Sequence, residues 1–317
     1  MIRSVIAGTG GYLPARSLSN DELAAEFNLD TSDAWISERT GIRRRHVAAP
    51  GETTADMGAA ACREALARAG ADASEVDAVI LATATPDSAF PSTATRVQEK
   101  LGIRNGFSFD ISAACTGFIY ALGVADSMIR TGACRSALVV GAEAFTRILD
   151  WQDRGTCVLF GDGAGAVLLR ATEVSGEGAE SGILSTHLHS DGRHGDILQV
   201  EGGLVRMAGR EVFRHAVSKL ASAVDEALRA NGLDQTDVQW LVPHQANARI
   251  IDAMGRKLGL PPERVVVTVD RHANTSAASI PLALADATRD GRIGAGDLVL
   301  MEAIGGGLTW GAALARF

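Results

Sequence analysis

The chain has 317 residues, 46% apolar and 21% charged, with a formal net charge of −8. Such a composition belongs to a soluble globular protein able to bury a large core, and the acidic balance argues against nonspecific nucleic-acid binding. No apolar run approaches the roughly 20 residues that span a bilayer, and Met1-Ile-Arg-Ser-Val-Ile reads as an opening strand rather than a signal peptide, so a cytoplasmic protein without a membrane partner is expected.

In chain order, the first clear unit is Glu64-Ala-Leu-Ala-Arg-Ala-Gly-Ala-Asp-Ala-Ser-Glu-Val, a helix, a glycine stop and the approach to a strand over Ala78 to Thr83. The next is Phe109-Asp-Ile-Ser-Ala-Ala-Cys115-Thr-Gly-Phe, a short apolar strand running into a helix start, with Ser112 as a candidate cap. Phe118, Leu122, Ala125 and Ile129 then repeat at helical spacing down to Thr131-Gly132. A cysteine in the first turn of a helix feels a partial positive charge and unpaired amides, which lowers its pKa and favours the nucleophilic thiolate. By itself, Cys115 could equally be a small core residue.

Gly161-Asp-Gly-Ala-Gly165 has the look of a nucleotide-binding loop, but an apolar strand over Ala166 to Leu169 follows instead of a helix, so it reads as close backbone packing. His187 and His189 would share a strand face and could suggest a metal, but no cluster of carboxylates is expected beside them, which leaves a metal site without support. The other cysteines, Cys62, Cys134 and Cys157, form no Cys-x-x-Cys pair, so neither a disulfide framework nor a zinc site is indicated.

Two later segments supply partners for Cys115. Trp240-Leu-Val-Pro-His244-Gln-Ala-Asn247 follows a strand and opens a helix, and Asp270-Arg-His-Ala-Asn274-Thr-Ser follows an expected strand from Val265 to Val269 and opens another. Strand carboxyl ends and helix amino ends meet at one rim in α/β proteins, so Cys, His and Asn can converge there. Taken singly, His244 could cap its helix and Asn274 could be an ordinary turn residue. Gly305-Gly-Gly307, between strands at Leu298 to Met301 and Thr309 to Gly311, lets backbone pass a ligand closely or simply makes a tight bend.

An internal repeat fixes the geometry. The Glu64 unit reads again as Glu226-Ala-Leu-Arg-Ala-Asn-Gly-Leu-Asp-Gln-Thr-Asp-Val, an offset of 226 − 64 = 162. At the same register the Cys115 segment corresponds to the Asn274 segment, and internal two-fold symmetry should bring both helix starts to one axis. Two halves are expected, residues 1–171 carrying the cysteine and residues 172–317 carrying His and Asn.

Along essentially its whole length the sequence resembles the β-ketoacyl-acyl-carrier-protein synthase III family of the thiolase-like condensing enzymes. The resemblance rests on Asp33-Ala-Trp-Ile, Arg39-Thr-Gly-Ile-Arg, Ala89-Phe-Pro-Ser, the Cys115 segment, Asp153-Arg-Gly-Thr, Phe160-Gly-Asp-Gly-Ala-Gly, the His244 and Asn274 segments and Glu302-Ala-Ile-Gly-Gly-Gly-Leu-Thr-Trp-Gly. It implies a duplicated α/β fold in five α-β-α-β-α layers with mixed sheets, a homodimer, and a Cys115-His244-Asn274 triad. The implied reaction joins an acyl-CoA primer to malonyl-ACP through an acyl-cysteine, giving β-ketoacyl-ACP, CoA and CO2 in fatty acid synthesis, with no metal or redox cofactor. The resemblance further assigns the amides of Cys115 and Gly307 to an oxyanion hole. It assigns Thr31, Trp35, Arg39, Arg154, Gly209, Phe213, Ala246 and Asn247 to CoA and pantetheine, Phe90 to the acyl pocket, and Arg214, Arg249, Arg256 and Lys257 to the acidic carrier protein. Condensing enzymes of secondary metabolism with unusual starters are the nearest alternative, whereas a thiolase would need a second cysteine near the C-terminus and the last here is Cys157. The chain departs most from the family over Glu173 to Met207.

Overall fold

The computed structural model describes residues 2–174 and 181–317. The piece from Glu173 to Met207 therefore lies partly outside the described residues, since 175–180 are not among them. Strands Ile2–Tyr12, Gly163–Glu173, Ser136–Glu143, Ala78–Ala82 and Phe107–Ile111 lie side by side in that order. A second sheet repeats the order as Gly182–Ser190, Thr309–Arg316, Leu298–Gly305 and Trp240–Pro243. Where a fifth strand would pair, it has a single parallel bridge from Leu241 to Val265. Both sheets are mixed: Ala78–Ala82 runs parallel to Ser136–Glu143, and Trp240–Pro243 parallel to Leu298–Gly305, while the next strand in each is antiparallel.

The central strands are apolar runs because both of their faces are covered. Ala78, Ile80 and Ala82 alternate with Val79 and Leu81, the first set packing inward and the second onto the outer helices Thr54–Arg68 and Thr93–Leu101. In the second sheet Val299, Met301 and Ala303 face inward, and Leu298, Leu300 and Ile304 face the outer layer of Gly209–Ala230 and Ala248–Lys257. Between the sheets lie helices Gly117–Arg130 and Ser279–Arg289, which gives the five layers. Phe118, Leu122, Ala125 and Ile129 are all buried there, as their spacing predicts, and Gly132 ends the helix at φ 80°.

The repeat holds to the residue at the centre of the molecule. A 3₁₀ turn at Ala114–Thr116 leads into the helix from Gly117, and a 3₁₀ turn at Ser276–Ala278 leads into the helix from Ser279, so 276 − 114 and 279 − 117 both give 162. Ala114 and Ser276 both sit in the left-handed region, at φ 45° and 49°, where a side chain costs energy and surrounding packing must hold it.

Two expectations change. Ser112 does not cap the Cys115 turn, whose cap residue is Ala113 with no side-chain hydrogen bond. No strand forms over Val265 to Val269; beyond the Val265 bridge the chain makes a single helical turn, Val269–His272. The cause is Gln245. Its buried Oε1 accepts from the amides of Thr268 and Val269, and its Nε2 donates to the carbonyls of Pro243 and Val266. Three backbone groups of the expected strand, and the Pro243 carbonyl on the strand beside it, are thus taken by one side chain.

Close packing of the glycine segment is confirmed. A Cβ on Gly165 would lie 2.5 Å from the amide nitrogen of Leu282, and one on Gly141 would lie 2.1 Å from the carbonyl oxygen of Ala277. Backbone cannot retreat as a flexible side chain can. Gly141→Ala should therefore destabilise the fold by about 2 to 3 kcal/mol, the upper range for forced overpacking, measured as a shift in urea midpoint at unchanged slope. A loss below about 0.5 kcal/mol would show that the Ala277 turn yields freely.

Candidate active site

A cavity of about 650 Å³ opens beside the Gly209–Ala230 helix and ends at Cys115, His244, Asn274 and Ile304. All four are nearly inaccessible to solvent, so the three polar groups that the sequence placed on separate loops do converge. Each is locally anchored. The His244 amide donates to the Glu302 carbonyl at 2.8 Å. Asn274 Oδ1 accepts from the Ser276 amide at 2.8 Å, which orients the side chain and leaves Nδ2 as its donor. Thr116 Oγ1 donates to the Thr309 carbonyl and Thr309 Oγ1 to the Ala113 carbonyl, tying the cysteine turn to the glycine loop.

Within that loop Gly305 makes the closest approach: a Cβ there would lie 2.7 Å from the Cys115 nitrogen. Gly307 follows at φ 138°, a conformation that favours glycine.

Burial governs the charge states. It pushes the Cys115 thiol up to about 12, a shift opposed by the neighbouring Ser276 and reinforced by Glu143. The direction is opposite to the expected lowering: Cys115 occupies a 3₁₀ turn ahead of the helix, and desolvation raises its thiol. Burial also lowers His244 to about 4, so its imidazole is neutral at pH 7, and Nδ1 has no hydrogen-bond partner. Glu143, fully buried, is raised to about 7 by desolvation against hydrogen bonds from Thr85 and Ala84.

At the mouth, two cations lie over the Trp35 ring, the Arg39 guanidinium 4.6 Å and the Arg154 guanidinium 5.2 Å from its centroid. Arg154 also donates to the Asp30 carbonyl. Gly209, Phe213, Ala246 and Asn247 line the wall. Asn247 has both polar ends engaged, Oδ1 accepting from the Arg249 amide and Nδ2 donating to the Arg39 carbonyl. Thr31 does not reach the cavity; its Oγ1 is buried without a hydrogen-bond partner. Phe90 is 84% exposed and lines no part of its own chain's cavity.

Two family models match, 3-oxoacyl-[acyl-carrier-protein (ACP)] synthase III over residues 109–192 and its C-terminal counterpart over 228–317. The chain is 65% identical to the β-ketoacyl-[acyl-carrier-protein] synthase III of Acidiphilium cryptum, with 100% of both chains covered. Identity to that of Rhodospirillum centenum is 62%, over 100% of this chain and 99% of the relative. The chain belongs to the β-ketoacyl-[acyl-carrier-protein] synthase III family. Among solved structures, the Aquifex aeolicus 3-oxoacyl-[acyl-carrier-protein] synthase III superposes with TM-score 0.94 at 47% identity, covering 99% of this chain and 100% of that one. The priming β-ketosynthase of the R1128 polyketide pathway is more distant, at 38% identity and TM-score 0.92 over 99% and 96%.

Membership agrees with the convergence of Cys115, His244 and Asn274, yet several residues of this synthase's site were not legible in the sequence. Leu198 and Met207 close one wall from a hairpin, Leu198–Glu201 with Leu204–Met207, inside the divergent segment. Arg210 joins Arg249 at the mouth; its place one residue into a helix beside Gly209 was the available signal. The histidine pair also needs correction. Glu226 meets both rings, His189 Nε2 at 2.6 Å and His187 Nδ1 at 3.3 Å, although among the described residues no group of three or more ligating side chains could hold a metal ion. No described helix is long and apolar enough to cross a membrane.

Glu302 lies on the strand that carries Ile304, buried, with Oε2 unpartnered, and desolvation raises it to about 8. An acid raised on folding stabilises the protein below its unfolded pKa and loses that contribution as pH rises toward the folded value. Glu302→Gln should therefore gain stability relative to the parent as pH goes from 5 to 8, by up to about 1.4 kcal/mol per pH unit. Urea midpoints at the two pH values test this; an unchanged difference would mean that Glu302 finds a partner in solution.

Proposed function

We propose that this chain starts fatty acid synthesis by condensing an acyl-CoA primer with malonyl-ACP, using Cys115 as acyl acceptor. The observation that carries this reading is the convergence of Cys115, neutral His244 and Asn274 at the closed end of one cavity whose mouth bears Trp35 and its flanking arginines. Cys115 attacks the thioester carbonyl, the amides of Cys115 and Gly307 hold the oxyanion, and CoA leaves. Malonyl-ACP enters the same cavity. Loss of CO2 leaves an enolate whose oxygen needs hydrogen-bond donors rather than a base, and the neutral His244 ring and Asn274 Nδ2 supply them. The enolate attacks the acyl group and frees Cys115. The proposed steps ask nothing of a metal or redox cofactor.

The CoA adenine would stack on Trp35. Two aromatic contacts of about 3.5 Å need roughly 7 Å between Trp35 and Arg154, more than the observed 5.2 Å, so Arg154 must swing outward as adenine enters. We assign the protein to a homodimer in which the exposed Phe90 completes the acyl pocket of the partner. Carrier protein docks on the basic rim of Arg214, Arg249, Arg256 and Lys257, of which Lys257 is paired with Asp225 at 3.0 Å and Arg214 with Glu211.

Two measurements test the reading. In single turnover with radiolabelled acyl-CoA, Asn274→Ala should still form acyl-Cys115 while release of labelled CO2 from malonyl-ACP falls by roughly 10² to 10³. Poor acylation followed by condensation at the parental rate would remove Asn274 from the decarboxylation step. Arg249 both lines the cavity and bonds the Glu38 carbonyl, so exposed Arg256 is the cleaner docking probe. Arg256→Glu should lower kcat/KM for malonyl-ACP about tenfold at low salt and less at high salt, leaving acyl transfer from CoA intact. Equal loss in both half-reactions would place Arg256 outside the docking surface.

A further inference from the structure

Arg45, on the short strand Arg44–Val47, has no solvent exposure. A buried cation usually sits against a carboxylate, but this guanidinium is held by neutral oxygens. Its Nη1 donates to the Leu18 carbonyl at 3.2 Å, and its Nη2 to Asn20 Oδ1 at 2.7 Å and to the Val158 carbonyl at 3.0 Å. Burial lowers it to about 10, which leaves it charged at pH 7. Two of these bonds lead to the site. Asn20, itself fully buried, donates from Nδ2 to Asp33 Oδ1 at 2.8 Å and to the Ile42 carbonyl at 2.7 Å. Asp33 opens the Asp33–Thr40 helix, whose Trp35 and Arg39 stand at the cavity mouth. In the other direction, Val158 lines the cavity and is followed by Leu159, whose carbonyl accepts from the Asn274 amide at 2.9 Å. Phe160 forms a parallel bridge with Asn274, and the Gly161 amide donates to the Asn274 carbonyl at 3.0 Å.

We propose that Arg45 is a positioning residue that sets Asn274 and the Trp35 helix in one frame, through Val158 on one side and Asn20 on the other. This rests on the proposed reading, in which Asn274 stabilises the enolate and Trp35 receives the adenine. A planar guanidinium can span separate acceptors at fixed angles, whereas an ammonium is a point charge that cannot. What else holds the two branches decides how they respond when it is removed. The Asp162 amide donates to the His46 carbonyl at 2.9 Å, so the segment beside Asn274 stays attached to the Arg44–Val47 strand without Arg45. The Asp33–Thr40 helix is anchored at its far end by Asn247, bonded to the Arg39 carbonyl, and by Arg249, bonded to the Glu38 carbonyl. Its start depends on Asn20 and on Asp21, whose carboxylate accepts from the Asp33 amide at 3.1 Å. Loss of Arg45 therefore loosens both branches while other bonds keep them in place. Misplacing a reacting group by about 1 Å costs on the order of 10²-fold in rate.

Separating the two half-reactions tests the frame. Starting from enzyme already acylated, Arg45→Met and Arg45→Lys should both slow single-turnover release of labelled CO2 from malonyl-ACP by roughly 10- to 10²-fold. Both should also raise KM for acyl-CoA severalfold, with acylation at saturating acyl-CoA close to the parental rate. Lysine keeps the buried charge, so parental CO2 release in Arg45→Lys beside a loss in Arg45→Met would reduce Arg45 to its charge and overturn the positioning role. Asn20→Ala cuts only the branch toward Asp33. It should raise KM for acyl-CoA and leave CO2 release from the acyl-enzyme near the parental rate, a split that general damage to the fold would not give. Should the Arg45 variants fail to fold, Asn20→Ala decides alone: an unchanged KM for acyl-CoA, or an equal fall in CO2 release, overturns the frame. Asn274→Ala in the same assay guards the reading beneath. CO2 release that survives Asn274→Ala would overturn that reading, whereas release lost in Asn274→Ala but parental in Arg45→Met would overturn only the role of Arg45.

Discussion

Two helix starts are pressed against glycine from the opposite half, and the architecture of the site follows from that contact. The Ala277 turn meets Gly141 of the first sheet, and the Cys115 turn meets Gly305 of the second, at separations that leave no space for a Cβ. Interiors this dense do not deform by small degrees. The helices Gly117–Arg130 and Ser279–Arg289 are therefore locked between the sheets, and the residues just before them have their positions set from both sides. Cys115, Asn274 and His244 arrive at one cavity because strand ends and helix starts of two related halves are made to coincide.

The two halves place different side chains around this contact. At the 162-residue offset Cys115 stands opposite Ala277, Ala114 opposite Ser276, and Glu143 opposite Gly305, since 143 + 162 = 305. Each polar group occupies only one of its two equivalent positions. Thiol and carboxyl come from the first half and the hydroxyl from the second, with the glycine in place of a second acid giving the Cys115 backbone its close neighbour. The internal repeat provides two equivalent niches, and the three positions at which they differ give them different chemistry.

Much of this was legible because helices and buried strands write periodic patterns. The spacing Phe118, Leu122, Ala125, Ile129 and the runs Ala78 to Ala82 and Leu298 to Met301 name their faces directly. What escaped depends on contacts between distant segments. The expected strand from Val265 to Val269 is apolar enough, but Gln245 removes its pairing groups from more than twenty residues away. The thiol pKa was misjudged for the same reason. A helix start is visible in sequence, whereas complete desolvation and a carboxylate at Glu143 belong to the assembled core. Glu226 lies on a helix remote in sequence from His187 and His189, so their partner could not be seen either.

Charge is distributed in depth in a way that suits the proposed reaction. The chain carries a net −8, yet Arg39, Arg210 and Arg249 gather at the cavity mouth while its floor holds a neutral imidazole, a protonated thiol and apolar Ile304. In the proposed reaction an acidic carrier protein is steered to this basic rim by long-range attraction that salt screens. The malonyl carboxylate is then carried from a region that favours its charge to one without a fixed cation. Desolvation there makes the carboxylate the least comfortable form of the substrate, and its departure as CO2 moves the negative charge onto the thioester oxygen. In the proposed reaction His244 and Asn274 meet that oxygen as donors, so the same burial that costs the protein a raised thiol and an unpartnered Glu302 Oε2 also favours the step that drives carbon–carbon bond formation.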